Sequence, residues 1–182
     1  MSKDFFKKYY LNLNNLFSKI EYNYLLKAAK QINLTKKKSG KIIIAGNGGS
    51  AGIASHAAID FTKVAGYRAI NFNESSTITC LANDYGYENW LKMAIKFYAE
   101  KNDTVILISS SGKSKNMINA ALQAKKLGNY VITFSGFSKK NKLKSKGNLN
   151  FWVDSKHYNF IENTHQIWLL SIIDYLIFNK SK

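Results

Sequence analysis

The chain predicts an α/β domain in which a parallel sheet is covered by helices on both faces. Three observations carry this. Apolar runs at Ile42–Ala45, Thr104–Ser109 and Tyr130–Ser135 read as buried strands. Segments with helical periodicity lie between them. The first two runs each end in small residues, Gly46-Asn47-Gly48-Gly49-Ser50 and Ser110-Ser111-Gly112-Lys113-Ser114, which suit a turn opening a helix. Strands alternating with helices require right-handed crossovers and a parallel sheet, whose ligands collect at the carboxyl ends of the strands.

Taken in order, Asp4 to Leu34 is a long helical region, either continuous or interrupted. Phe5, Tyr9, Leu13, Leu16, Ile20, Tyr24, Leu25, Ala28 and Ile32 form its apolar stripe. Residues 1–34 are expected to be a helical extension used in oligomer packing. Ile42–Ala45 is a strand because its branched side chains favour the pleated backbone, and Ser50–Val64 is the helix after it. Arg68–Asn71 is a short strand; Ser75–Ala82 and Tyr87–Ala99 are helical. Thr104–Ser109 is the second strong strand, followed by a helix over Ser114–Leu127. Tyr130–Ser135 is the third. Lys139–Asn150 is a polar loop rather than a domain boundary, Phe151–Val153 a short strand, and Phe160–Phe178 the closing helix. No linker or repeat divides the 182 residues, so one domain is expected.

Composition narrows the classes of function. Hydrophobic residues make up 46% of the chain, yet no apolar run reaches the ~18 residues that suggest a membrane span. The start, Met1-Ser2-Lys3-Asp4-Phe5-Phe6-Lys7-Lys8, lacks the features of a secretory signal. One cysteine, Cys80, excludes an internal disulfide and fits a reducing compartment, so a cytoplasmic protein is expected. The net charge of +16 is almost wholly lysine, with Arg68 the single arginine. Lys36-Lys37-Lys38 and the Lys139–Lys146 stretch look like solvated loops. They lack the arginine forks that read bases, which disfavours nucleic acid as a partner.

The chemistry concentrates in two turns. Glycine allows the backbone to approach a ligand, and a helix N-terminus offers free amides and a partial positive charge. Ser109, Ser110, Ser111 and Ser114 add hydroxyl donors around Gly112. Serine also caps helices, which is the simplest reading of Ser114 alone. Neither turn matches G-x-x-x-x-G-K-[ST] or G-x-G-x-x-G, so a triphosphatase or dinucleotide enzyme is disfavoured and a small phosphorylated ligand is favoured.

The segments Gly46-Asn47-Gly48-Gly49-Ser50, Ala82-Asn83-Asp84-Tyr85-Gly86-Tyr87-Glu88 and Ile108-Ser109-Ser110-Ser111-Gly112-Lys113-Ser114 together resemble sugar isomerase (SIS) domains. The phosphoheptose isomerase branch is the nearer likeness. The resemblance runs from the first helix to the last. It implies a three-layer αβα sandwich with a five-stranded parallel sheet, a single SIS domain over 1–182, and a homotetramer. It implies that Ser109, Ser110, Ser111 and Ser114 bind phosphate. Asn47, Gly48, Gly49 and Ser50 would line the sugar phosphate, and the segment of Asn83 and Asp84 would approach it.

The implied reaction converts sedoheptulose 7-phosphate to D-glycero-D-manno-heptose 7-phosphate, a heptose precursor of surface polysaccharide, through an enediol. Such a reaction needs a group to move a carbon proton and a group or metal to stabilise oxygen charge. His56 and Asp60, four apart, share one helix face and fit either a local hydrogen bond or a metal pair. The resemblance implies zinc (Zn2+), with His56, Asp60 and Glu162 as ligands and Asp60 also as base. It departs from the family at three positions. Asp60 stands where a glutamate is usual, Glu162 where a glutamine is usual, and Leu170 where the family carries a second histidine. His157 or His165 is a candidate to replace the lost proton donor; the alternatives are an exposed loop histidine for His157 and a core or interface residue for His165. The alternative to an enzyme is a non-catalytic SIS module that binds a sugar phosphate or a protein partner.

Overall fold

A computed structural model describes residues 2–180. Helices α1 (Ser2–Phe17) and α2 (Tyr22–Lys37) precede strand β1 (Ile42–Gly46). Helix α3 (Gly49–Ile59) runs into a π-helical turn over Asp60–Val64. Strand β2 (Ala69–Asn71), helices α4 (Ser75–Tyr85) and α5 (Trp90–Tyr98) and strand β3 (Thr104–Ser109) follow. The chain then forms α6 (Lys115–Lys126), β4 (Tyr130–Ser135), a short 3-10 turn over Lys144–Lys146, β5 (Leu149–Trp152) and α7 (Tyr158–Phe178).

The five strands are all parallel, in the order β2-β1-β3-β4-β5. Alternate side chains serve opposite faces, as a pleated strand requires. Ile42, Ile44, Ile106, Ile108, Ile132 and Phe134 point to one face and meet α2, α3 and α7 through Ile32, Ala57 and Leu169. Ile43, Ala45, Val105, Leu107 and Val131 point to the other and meet α5 and α6 through Trp90, Ile95, Met117 and Ala121. This is the expected αβα sandwich, and it explains why the central strands read as unbroken apolar runs: both faces are covered. Each fully buried isoleucine or leucine contributes about 1.5–3 kcal/mol by transfer from water.

Several boundaries move from the sequence reading. The first helical region divides at residues 18–21, and α1 lies against α7, with Tyr9 and Phe160 rings 4.8 Å apart. The helix expected to reach Val64 widens at Asp60, where Ala65 N donates to Asp60 O at 2.8 Å in the i→i+5 pattern. Helix α4 continues past Ala82 to Tyr85, and α5 starts at Trp90 rather than Tyr87. Strand β5 begins inside the stretch expected to be loop, because Leu149 and Asn150 pair with Ile132 and Thr133.

The strand order reverses between β1 and β3. The chain leaves β1 for β2 on one side through α3, and leaves β3 for β4 on the other side through α6. Diverging connections open a crevice at the carboxyl ends of these two strands, the usual ligand position of such sheets.

Candidate functional site

Both small-residue turns border that crevice. After β1, Gly48 adopts φ 55°, and α3 begins with no side chain to cap it. A Cβ at Gly49 would collide with the Glu162 carboxylate, so glycine lets α7 close onto this turn. Glu162 thus lies at the N-terminus of α3, where the helix dipole favours negative charge. Its Oε1 accepts from Ser110 Oγ at 3.2 Å, and Ser110 Oγ is in turn 3.5 Å from Ser50 Oγ. One carboxylate therefore ties the two turns to the last helix.

After β3, Gly112 takes φ +62° and its N–H donates to Ser109 O at 2.9 Å. Asn141 is wedged beneath it, where any Cβ at Gly112 would strike the Asn141 side chain. Asn141 Nδ2 donates to Ser135 Oγ and Ser138 O at 3.0 and 2.9 Å, and Gly136 N donates to Ser110 O at 2.8 Å. The serine loop is therefore fixed from below by the loop that follows β4. Ser114 occupies the N-cap position of α6, yet its hydroxyl pairs with Ser109 Oγ at 3.1 Å and makes no capping hydrogen bond. Among the described residues the N-cap side chain accepts from none of the opening amides of α6, and Ser111 Oγ accepts from Lys113 N at 3.2 Å. Uncapped amides, serine hydroxyls and the exposed Lys113 and Lys115 make a surface suited to an anion.

Asn47 spans the crevice. Its amide exchanges two hydrogen bonds with Asn116 of α6, at 3.0 and 2.9 Å, and Tyr87 OH donates to Asn47 Oδ1 at 3.4 Å. Gly46 is held by Asn73, which accepts from Gly46 N at 3.2 Å and donates to Gly46 O at 2.8 Å. Asn83 and Asp84 sit exposed in the last turn of α4 rather than in a loop, hydrogen-bonded to one another at 3.0 Å. Tyr87, not Asn83 or Asp84, reaches the glycine turn.

His56 and Asp60 face α7 as a pair, with His56 Nε2 3.2 Å from Asp60 Oδ2 and both side chains partly exposed. Gln166 Nε2 lies 3.4 Å from His56 Nδ1. His165, the next residue along α7, is fully buried on the sheet side. Its Nε2 donates to Ser135 O at 3.1 Å, its Nδ1 has no partner among the described residues, and its ring meets the edge of Phe134. Burial lowers its pKa to about 4, although the Ser135 carbonyl opposes that shift. The ring is neutral at physiological pH and is not brought to the His56–Asp60 pair.

The donor set implied for zinc does not fit this geometry. Among the described residues, no three His, Cys, Asp or Glu side chains converge as metal ligands. Glu162 is engaged at Ser110, and Leu170 offers no donor atom. Zinc sites use three or four protein donors.

Sequence reasoning missed Asn116, Asn141, Asn73, Tyr87 and Gln166. A signal existed for Gln166, which stands four residues after Glu162 and so on the same helical face. None existed for Asn141, whose role depends on a loop conformation.

The SIS domain family profile matches residues 6–136. A phosphoheptose isomerase from Histophilus somni (strain 2336) is 34% identical over 160 residues, covering 84% of this chain and 80% of that relative. One from Helicobacter pylori (strain HPAG1) is 42% identical over 108 residues, 56% of either chain, so this chain spans just over half the length of that relative. The solved phosphoheptose isomerase GmhA from Neisseria gonorrhoeae superposes with a TM-score of 0.89 at 23% identity, covering 97% of this chain and 99% of that one; it shares the fold. With the sheet order, the two turns and these relatives in agreement, the chain belongs to the SIS domain family, in its phosphoheptose isomerase branch.

Proposed function

We propose that the protein is a sugar-phosphate isomerase that converts sedoheptulose 7-phosphate to D-glycero-D-manno-heptose 7-phosphate. One observation carries the reading: the uncapped serine loop at the start of α6 and the partly exposed His56–Asp60 pair belong to elements that meet at the same switch-point crevice. The phosphate is held by the α6 amides and by Ser111 and Ser114. The open-chain sugar runs from there towards α3. The Asp60 carboxylate takes the proton from C1 beside the C2 carbonyl, giving an enediol, and returns a proton to C2. One proton leaves the C1 hydroxyl and one joins the oxygen on C2, so the product is an isomer and nothing else is consumed. His56, hydrogen-bonded to Asp60, exchanges the oxygen protons. The relatives named phosphoheptose isomerase support the substrate class.

The test is turnover of sedoheptulose 7-phosphate in D2O. The expected results are aldose product, deuterium at the carbon beside the carbonyl, and loss of at least about 100-fold in kcat for Asp60→Asn. Binding of the sugar phosphate with neither product nor exchange would replace this reading by a non-catalytic sugar-phosphate-binding module, which Leu170 in place of a family histidine favours. The proposal includes a homotetramer and a place in the cytoplasm; among the described residues no helix is long and apolar enough to cross a membrane.

A further inference from the structure

Glu162, Gln166 and Leu170 are four residues apart and share one face of α7, the face that meets α3 at His56. Their partners divide the site in two. Glu162 turns towards the serine loop, where Ser110 Oγ donates to it at 3.2 Å and Gly49 packs against its carboxylate. Gln166 turns to the imidazole, with its Nε2 3.4 Å from His56 Nδ1. Leu170 contributes packing alone.

The chemistry of the contacts fixes a direction. The Asp60 carboxylate at 3.2 Å only accepts, so a neutral His56 donates through Nε2 and is left with a bare lone pair on Nδ1. The Gln166 amide presents an N–H to that lone pair. Gln166, His56 and Asp60 form one donor chain, and both ring nitrogens are committed. A metal ion could bind the imidazole only by displacing Gln166 or Asp60.

We infer that this pocket is organised without zinc, and that Gln166 is the positioning residue that holds the His56 imidazole on Asp60. Gln166 does on this chain, through a hydrogen bond, what a shared metal ion would otherwise do for the pair. Glu162 belongs to the phosphate side of the pocket. The role of Gln166 in turnover rests on the isomerase reading; the zinc affinity and the tautomer of His56 do not.

Two measurements on the full chain test this. The first is calorimetric titration with Zn2+ alone, with turnover measured before and after a chelator. The expected result is no stoichiometric site tighter than about 10 μM, a Kd worth only modest binding free energy, and turnover unchanged by the chelator. The second is the long-range 1H–15N spectrum of the His56 ring. The wild type should show the Nε2–H tautomer. Gln166→Leu leaves Asp60 on Nε2 but removes the donor at Nδ1, and should weaken that bias, with kcat down about tenfold and KM within about twofold. Gln166→Glu presents only acceptors to Nδ1 while Asp60 still accepts at Nε2, so the single Nε2–H tautomer should give way to a ring protonated on both nitrogens, a response that loss of packing would not produce. A tight zinc site in the wild type that disappears in His56→Ala would overturn the inference, as would a ring spectrum indifferent to both Gln166 substitutions. Absence of turnover in every form would sink the isomerase reading, while the zinc and tautomer results would still judge the pocket.

Discussion

At the scale of single residues, two histidines that both lie within helices have opposite fates. His56 is exposed beside a carboxylate; His165 is sealed against β4 with a bare nitrogen. The burial of His165 has a thermodynamic consequence. Its pKa is lowered from 6.5 to about 4 in the fold, so between these values the unfolded chain binds the proton that the native chain refuses. The neutral ring's contribution is fully present above pH 6.5 and is lost as the pH falls through about 4. Over that window stability should drop by about 3 kcal/mol. Denaturant melts between pH 7 and 4 should show this slope in the wild type and a flatter one in His165→Gln. Equal slopes would mean that His165 is protonated in the native state. The sequence showed three histidines but not their environments. The resemblance made His165 a candidate proton donor because its place on the last helix was legible, whereas its side of that helix depends on how α7 lies on the sheet.

At the scale of elements, the site depends on the loop after β4 as much as on the two turns that border it. Asn141 supports the serine loop by filling the space beneath Gly112. Gly112→Ala should therefore cost more than the strain of its φ. Left-handed backbone costs about 1–2 kcal/mol for a residue with a Cβ. Displacing the buried Asn141 amide, which also holds Ser135, Ser138 and Lys144, should add about 1–3 kcal/mol. Gly128→Ala is the control, since Gly128 has φ +78° but open space around it and should show the strain alone. Urea midpoints for the two variants should differ in that order at equal m-values. Equal midpoints would remove Asn141 from the support of the loop. The same contact shows where sequence reading stopped. Central strands were legible because a strand buried on both faces must be apolar throughout. The Lys139–Asn150 stretch was not, because Asn141, Asn148 and Asn150 read as loop residues although Asn148 Oδ1 accepts from Val131 N and Asn150 Oδ1 from Thr133 Oγ1. The break between α1 and α2 carried no glycine or proline signal, and the π-turn at Asp60 lies within an unbroken helical pattern. Such turns recur at functional sites, and this one begins at the residue assigned as base.

At the scale of the whole molecule, two features oppose each other. The chain carries a net charge of +16, which makes copies repel. Helix α1 nevertheless leaves an apolar surface uncovered. Its inner side is fixed to α7 through Tyr9 and Phe160, and Trp168 Nε1 donates to Phe17 O at 2.9 Å. Its outer side exposes Phe6 at 57%, Tyr10 at 65% and Leu11 at 57%. Contiguous apolar surface of this kind marks an interface, which supports the proposed homotetramer. Because the opposing force is charge, and salt screens it over about 10 Å at 0.1 M, assembly should strengthen as salt rises. Light scattering on the size-fractionated chain should give about four times 20.6 kDa at physiological salt and a smaller mass at very low salt. Replacing Phe6 and Tyr10 together by lysine adds charge where apolar area is lost, and should leave smaller species at both salt concentrations with the helical content unchanged. A wild-type mass of 20.6 kDa at every salt concentration would sink the tetramer and leave the α1 surface to another partner. A tetramer indifferent to the double substitution would move the interface away from α1.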